Sequence, residues 1–215
     1  MDHNQTRANY DQLSRWYELF SAPSERAARL RGLQILNVQP GERVLEIGCG
    51  TGVSLPALAS PAGPTGRVVG LDLSAGMLDL AKHKLEKLAL RQAACLQADA
   101  VWLPFPDESF EVVWMSFTLE LFSAPEIPGL LQECRRALCP GGRLGIVALS
   151  KKEKPGWMER AYGWAHHRWP QVIDCRPIPL EAVVKSADFE IVHSLEMWIW
   201  SLAVGLLVAV KTSPK

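Results

Sequence analysis

The sequence predicts an α/β fold: a seven-stranded, mostly parallel sheet with helices on both faces and an antiparallel edge strand. Three observations lead there. Short apolar runs rich in β-branched residues alternate with helix-length patterned stretches along most of the chain. The first such run, Val44-Leu45-Glu46-Ile47, breaks directly into Gly48-Cys49-Gly50-Thr51-Gly52, a turn of the kind that joins a strand to a helix. The last two strand patterns have only a short connection between them, so they pair as an antiparallel hairpin at one edge.

A helical preface comes first, from about Tyr10 to Asn37. Leu13, Trp16, Tyr17 and Phe20 recur at helical spacing, and Pro23-Ser24 opens a second helix. This preface is expected to pack over a ligand site. Strands are predicted at Arg43 to Ile47, Arg67 to Leu71, Ala93 to Gln97, Phe110 to Met115, Arg143 to Leu149, Phe189 to Glu196 and Val204 to Lys211. Helices are predicted between them at Ser54 to Ser60, Ser74 to Leu88, Ile127 to Leu138 and Leu180 to Ser186. The nearly uniform apolar run from Met197 to Val210 is shorter than the roughly 20 residues a membrane helix needs, and Ser201 and Gly205 interrupt it. A buried hairpin strand is the main reading, with a peripheral membrane contact as the lesser one.

Composition sets the bounds. The 215 residues suit a single domain with a real core, and zero net charge gives no bulk attraction to nucleic acid. Five scattered cysteines with no secretory signal ahead of them read as reduced thiols in a cytoplasm. Cys134 and Cys139, the one close pair, lack the histidines or second pair of a metal site, and packing at a helix end is the expected role. No metal is expected, and the sequence leaves oligomeric state open.

The glycine spacing selects the ligand. A dinucleotide fingerprint would place its third glycine at position 53, which is Val53; here it comes one residue early, at Gly52. Glu46 sets a carboxylate beside the turn, which repels a pyrophosphate and attracts a ligand carrying an ammonium and a sulfonium. S-adenosylmethionine carries both. Gly48, Cys49, Gly50 and Gly52 are then its cradle. Asp72 ends the second strand where a carboxylate can accept both ribose hydroxyls, although NAD-binding proteins have a similar acid; as a helix N-cap, Ser74 suits better. Asp99 ends the third strand, where its carboxylate can accept from an adenine amino group while Ala100 offers a backbone donor. Ser116 follows the fourth strand, at the same carboxyl end of the sheet.

Glu46-x-Gly48-x-Gly50-x-Gly52 resembles motif I of the class I methyltransferases, E/D-x-G-x-G-x-G. Three further stretches extend the resemblance in the right order: Ser74-Ala75-Gly76-Met77-Leu78, Asp99 through Leu103-Pro104-Phe105-Pro106-Asp107-Glu108-Ser109-Phe110, and Leu138-Cys139-Pro140-Gly141-Gly142-Arg143-Leu144. Within that family the chain is most similar to the ubiquinone and menaquinone biosynthesis branch. Its opening Tyr10-Asp11 and Tyr17-Glu18 resemble that branch's Y-D segment, with Glu18 in place of an aspartate. The resemblance implies a Rossmann-like fold, S-adenosylmethionine as cofactor and methyl transfer to a small acceptor. It further implies that Leu73 and Met77 line the adenine pocket, that Tyr10 and Tyr17 touch cofactor or acceptor, that residues 1–40 form a helical cap, and that residues 150–180 form an acceptor lid. Met77 also reads as an ordinary core methionine.

Little covalent chemistry is required of such an enzyme, because the sulfonium is already activated and alignment in a dry pocket supplies much of the acceleration. If the acceptor must lose a proton, His166 and His167 are the candidate bases, with His193 and Glu120 behind them; each histidine also reads as one without a catalytic role. Trp157, Trp164, Trp169, Trp198 and Trp200 crowd the C-terminal third, which suits an apolar or aromatic acceptor and equally suits core packing. Arg176 either meets an anionic acceptor group or pairs with Asp174. Two other functions stand against the first: an NAD-dependent oxidoreductase, disfavoured by Val53, and a non-catalytic S-adenosylmethionine-binding module.

Overall fold

The computed structural model describes residues 22–151, 176–199 and 202–212. The second helix of the predicted preface is α1 (Ala22–Leu36). Thereafter strand and helix alternate: β1 (Arg43–Ile47), α2 (Leu55–Ala62), β2 (Arg67–Asp72), α3 (Ala75–Lys87), β3 (Ala93–Gln97), β4 (Phe110–Ser116), α4 (Ile127–Ala137), β5 (Leu138–Leu149), α5 (Leu180–Ser186), β6 (Phe189–Ile199) and β7 (Leu202–Lys211). A single 3-10 turn, Leu119–Leu121, follows β4.

One sheet holds all seven strands in the order β3-β2-β1-β4-β5-β7-β6. Strands β1 to β5 are parallel, and β7 runs antiparallel to both β5 and β6. The expected hairpin is therefore at the edge, with its reversed member β7 one place in and β6 outermost. The apolar run from Met197 to Val210 is that hairpin: Met197–Ile199 belongs to β6 and Leu202–Val210 to β7. Among the described residues no helix is long and apolar enough to cross a membrane.

Each face of the sheet buries its own core. Leu45, Val113, Met115 and Ile146 pack under Leu130, Leu131 and Cys134 of α4 and Val184 of α5. Val44, Val112, Trp114 and Val147 pack under Ala28 and Leu36 of α1, Leu55 and Leu58 of α2, and Leu78 and Ala81 of α3. Burial on both faces is why β1 and β4 read as continuous apolar runs rather than alternating ones.

The largest boundary difference from the sequence reading is at the start of β5. Leu138 already pairs with Phe110, and the register then shifts so that Val112 pairs with Arg143. Pro140-Gly141-Gly142, expected as a turn ahead of the strand, is an irregularity inside β5, because the ladder forms on both sides of it.

Candidate cofactor site

The strand order reverses direction at β1, with β2 on one side and β4 on the other, and this opens a crevice at their carboxyl ends. The glycine turn fills the floor of that crevice. Gly48 and Cys49 both donate their amides to the Leu71 carbonyl, at 2.8 and 3.0 Å, so the turn is tied to the end of β2.

The three glycines are needed for three different reasons. All have positive φ, of 68°, 52° and 73° for Gly48, Gly50 and Gly52. A Cβ on Gly48 would collide with the Thr118 side chain, and one on Gly52 would lie 3.0 Å from Ala81 Cβ in α3. A Cβ on Gly50 meets nothing within 4 Å and would project into open space. Of the three, Gly50 alone leaves a ligand-sized approach to its backbone; the other two serve packing inside the protein.

Asp72 clamps this turn. Its Oδ2 accepts from the Gly50 amide at 2.8 Å, and its Oδ1 accepts from the Ser74 amide at 2.9 Å. Ser74 in turn caps α3, its Oγ accepting from the Met77 amide at 3.2 Å. The same carboxylate thus holds the glycine turn and the start of α3 together at the end of β2. Leu73 is half-buried beside it, and Met77 is buried yet joins neither core cluster.

At the end of β3, Asp99 Oδ1 accepts from the Val101 amide at 3.0 Å, which shapes the loop that carries Ala100. Gln97 ties this loop back to β2 by donating to the Leu73 carbonyl at 2.9 Å.

Glu46 lies beneath the turn and is 2 % exposed. Burial pushes its carboxyl up to about 8, while a hydrogen bond with Ser54 and the charge of Arg29 pull the other way. Its Oε2 has no hydrogen-bond partner. A buried carboxyl with a free oxygen beside an open glycine backbone suits a cationic ligand, whose charge would stabilise the ionised form.

Beyond β4 a second charged group assembles. Arg29 of α1 donates from Nε to Ser116 Oγ at 3.2 Å and from a terminal nitrogen to Glu25 Oε2 at 3.1 Å. Glu120, in the 3-10 turn, is 1 % exposed; its Oε1 accepts from the Leu149 amide at 3.0 Å, and its Oε2 has no partner. Burial, chiefly, pushes Glu120 up to about 8, with the nearby Glu25 carboxyl contributing in the same direction.

Glu46, the glycine turn, Asp72, Leu73, Asp99, Ala100 and Ser116 thus lie at or just beyond the carboxyl ends of β1 to β4, and Met77 lies in the first turn of α3. Tyr10, Tyr17, His166 and His167 lie outside the described residues, as do Trp157, Trp164, Trp169, Asp174 and Trp200. His193 is exposed on β6, at the far edge of the sheet, and Trp198 is exposed on the same strand. Arg176 donates to the Phe122 carbonyl at 2.9 Å.

Arg29 and Glu25 were missed by sequence reasoning. The signal was present: both fall at helical spacing with Ala28, Gly32 and Leu36, the buried stripe of α1. A charged pair on a helix's buried face needs a partner or a ligand.

Residues 44–142 match the family described as a methyltransferase domain. The demethylmenaquinone methyltransferase of Lactobacillus johnsonii is 36% identical over 154 residues, covering 69% of this chain and 61% of that protein. The crystal structure of a SAM dependent methyltransferase from Aquifex aeolicus covers 99% of this chain and 100% of its own, with a TM-score of 0.65 and 23% identity. This chain carries a class I methyltransferase domain. S-adenosylmethionine is the cofactor of that domain, and the open backbone at Gly50 and the partnerless oxygen of Glu46 fit it. The chain spans about three fifths of the length of the curated relatives it matches. The [4+2]-cyclase SpnF has the same fold, at a TM-score of 0.69 and 21% identity over 86% of this chain and 81% of its own. Fold alone therefore leaves the reaction to be argued from the site.

Proposed function

We propose that this chain is a cytoplasmic enzyme that transfers a methyl group from S-adenosylmethionine to a small apolar or aromatic acceptor of the quinone-precursor type. The observation that carries this reading is the charge layout of the crevice. Glu46 offers a buried carboxyl to the donor's cations, and Arg29, held by Ser116 and Glu25, offers a guanidinium to its carboxylate. Asp72 is suited to the ribose hydroxyls, and Asp99 and Ala100 to the adenine edge, with Leu73 and Met77 against its faces. S-adenosylmethionine supplies an activated methyl on a sulfonium. The protein's share is to hold donor and acceptor in line and exclude water, which is worth up to about 7–11 kcal/mol in well-oriented systems.

The acceptor reading is supported by the relative named demethylmenaquinone methyltransferase and by the tryptophan-rich C-terminal third. The reading includes a cap from residues 1–40 and an acceptor lid from residues 150–180 as proposed roles, with Tyr10 and Tyr17 proposed as cofactor or acceptor contacts. Where the acceptor must lose a proton, Glu120 is the described carboxyl best placed to take it, beside the ends of β4 and β5, with His166 and His167 contributing from the lid.

Calorimetric titration of the whole chain with S-adenosylmethionine, S-adenosylhomocysteine and NAD tests the cofactor half. Binding of both adenosyl compounds but not NAD is expected; tight NAD binding overturns it. Transfer of labelled methyl to demethylmenaquinone tests the acceptor half, and labelling of hydrophilic amines in its place would refute an apolar acceptor.

A further inference from the structure

Two cysteines lie side by side beneath the glycine turn, and the transfer of a methyl group needs neither thiol. β2 and β3 pair with Gly70 directly opposite Cys95. Gly70 has no side chain, and Cys49 fills the space: its Sγ and Cβ lie 2.9 and 3.0 Å from where a Gly70 Cβ would stand. The Cys49 sulfur thereby lies over β2 at the register position beside Cys95, and its thiol donates to the Gly50 carbonyl at 3.8 Å. Neighbouring strands are about 4.8 Å apart, and Cys95 projects on the face that Cys49 occupies. Cysteines side by side on one face of a sheet are bridged when their Cβ atoms come within about 3.5–4.5 Å.

The two thiols are unequal. Cys49 is buried, and the neighbouring Cys95 sulfur, together with that burial, pushes its thiol above the ordinary range. Cys95 is half-exposed, and the neighbouring Cys49 thiol, with Lys82 adding its charge, draws it below the ordinary range. A half-exposed sulfur with a buried partner beside it is the layout of an attacking and a resolving cysteine.

We propose that Cys49 and Cys95 are an oxidisable pair, converted by low-molecular-weight disulfides into an intramolecular disulfide that pins the glycine turn to β3 and weakens S-adenosylmethionine binding. The affinity effect rests on the cofactor reading given above. In the first step the Cys95 thiolate attacks the small disulfide, forming a mixed disulfide and releasing one thiolate. Cys49 then gives its proton to solvent and attacks the Cys95 sulfur, expelling the second thiolate. Two protein thiols are oxidised and one small disulfide is reduced to two thiols. The bonded sulfurs stand about 2.05 Å apart. Cys49 lies between Gly48 and Gly50, so the closure drags the turn away from the Asp72 clamp, now 2.8 Å from the Gly50 amide.

The test treats the whole chain with oxidised glutathione, maps disulfides by mass spectrometry, and titrates S-adenosylmethionine into reduced, oxidised and re-reduced samples. The expected result is a Cys49–Cys95 cross-linked peptide, an affinity loss of tenfold or more, and recovery on reduction. Cys95→Ser should bind as the reduced protein does and ignore the oxidant. A sample that yields only mixed disulfides or other pairings overturns the proposal, as does a cross-link that leaves affinity unchanged. Failure of the reduced protein to bind overturns the cofactor reading and this proposal together, and it shows before any oxidant is added.

Discussion

Gly48 and Thr118 approach so closely that no Cβ fits between them, which locks the glycine turn after β1 to the loop after β4. The Thr118 hydroxyl donates to the Ser116 carbonyl at 3.1 Å, so the threonine is fixed in place. Gly48→Ala is expected to lower stability by several kcal/mol, since a positive φ costs about 1–2 kcal/mol and the collision adds to it. Gly50→Ala should cost only the φ penalty, yet abolish cofactor binding, because its new methyl enters the open crevice. Thermal unfolding and calorimetry on both variants check the contrast, and Thr118→Ala should partly restore Gly48→Ala. Equal destabilisation of the two variants would contradict it.

Glu46 links cofactor affinity to pH. With its carboxyl near 8, it is mostly protonated in the free protein at neutral pH. A bound cation favours the ionised form, so binding should release protons near pH 7 and tighten as pH rises from 6 to 8.5. Proton release appears as a dependence of the binding enthalpy on the buffer's ionisation enthalpy. Glu46→Gln should bind about tenfold or more weakly at pH 8.5, of the order expected for a lost charge-assisted contact, and lose the buffer dependence. A wild-type enthalpy that is the same in phosphate and Tris would refute the coupling.

Glu120 and Glu46 also set the pH profile of stability. Both have folded-state values raised from 4.5 to about 8. The folded protein binds more protons than the unfolded chain in that window. Stability is therefore greatest below about pH 4.5 as far as these two groups are concerned, and it is lost as pH rises toward 8, by at most about 1.4 kcal/mol per pH unit for each group. Urea unfolding at pH 5.5 and pH 8 should show the decline, and Glu120→Gln should flatten it. If Glu120 takes the acceptor's proton, the turnover rate of the wild type rises toward pH 8, whereas that of Glu120→Gln stays low at every pH.

Arg29 is expected to matter more for binding than for folding. Its ion pair with Glu25 at 3.1 Å is largely shielded from solvent. Arg29→Ala should lower S-adenosylmethionine affinity about tenfold or more, while Arg29→Lys keeps part of it, because a single ammonium replaces a guanidinium fork. Decarboxylated S-adenosylmethionine should bind wild type and Arg29→Ala alike. If the variant weakens that analogue as much as the parent compound, Arg29 does not read the carboxylate.

The order of strands and helices was legible in the sequence, since hydrophobic period and glycine or proline punctuation are local properties. β1, β3 and α5 fall where the residues placed them. The cofactor turn was legible for the same reason: Glu46 and its three alternate glycines form one uninterrupted stretch. What each glycine is for was not legible. That depends on Thr118 and Ala81, which are distant in sequence and adjacent only after the sheet has formed.

The sequence by itself determined the α/β class, the cofactor turn and the acids that follow β2 and β3, because each is written in contiguous residues. Tertiary structure alone decided the rest. Strand pairing put β7 inside the edge and moved His193 to the far side of the sheet from the turn. Packing of α1 across the sheet brought Arg29 to Ser116, 87 residues away in the chain. Burial made weak acids of Glu46 and Glu120, since the cost of ionising a carboxyl is set by the surroundings that the folded chain builds around it.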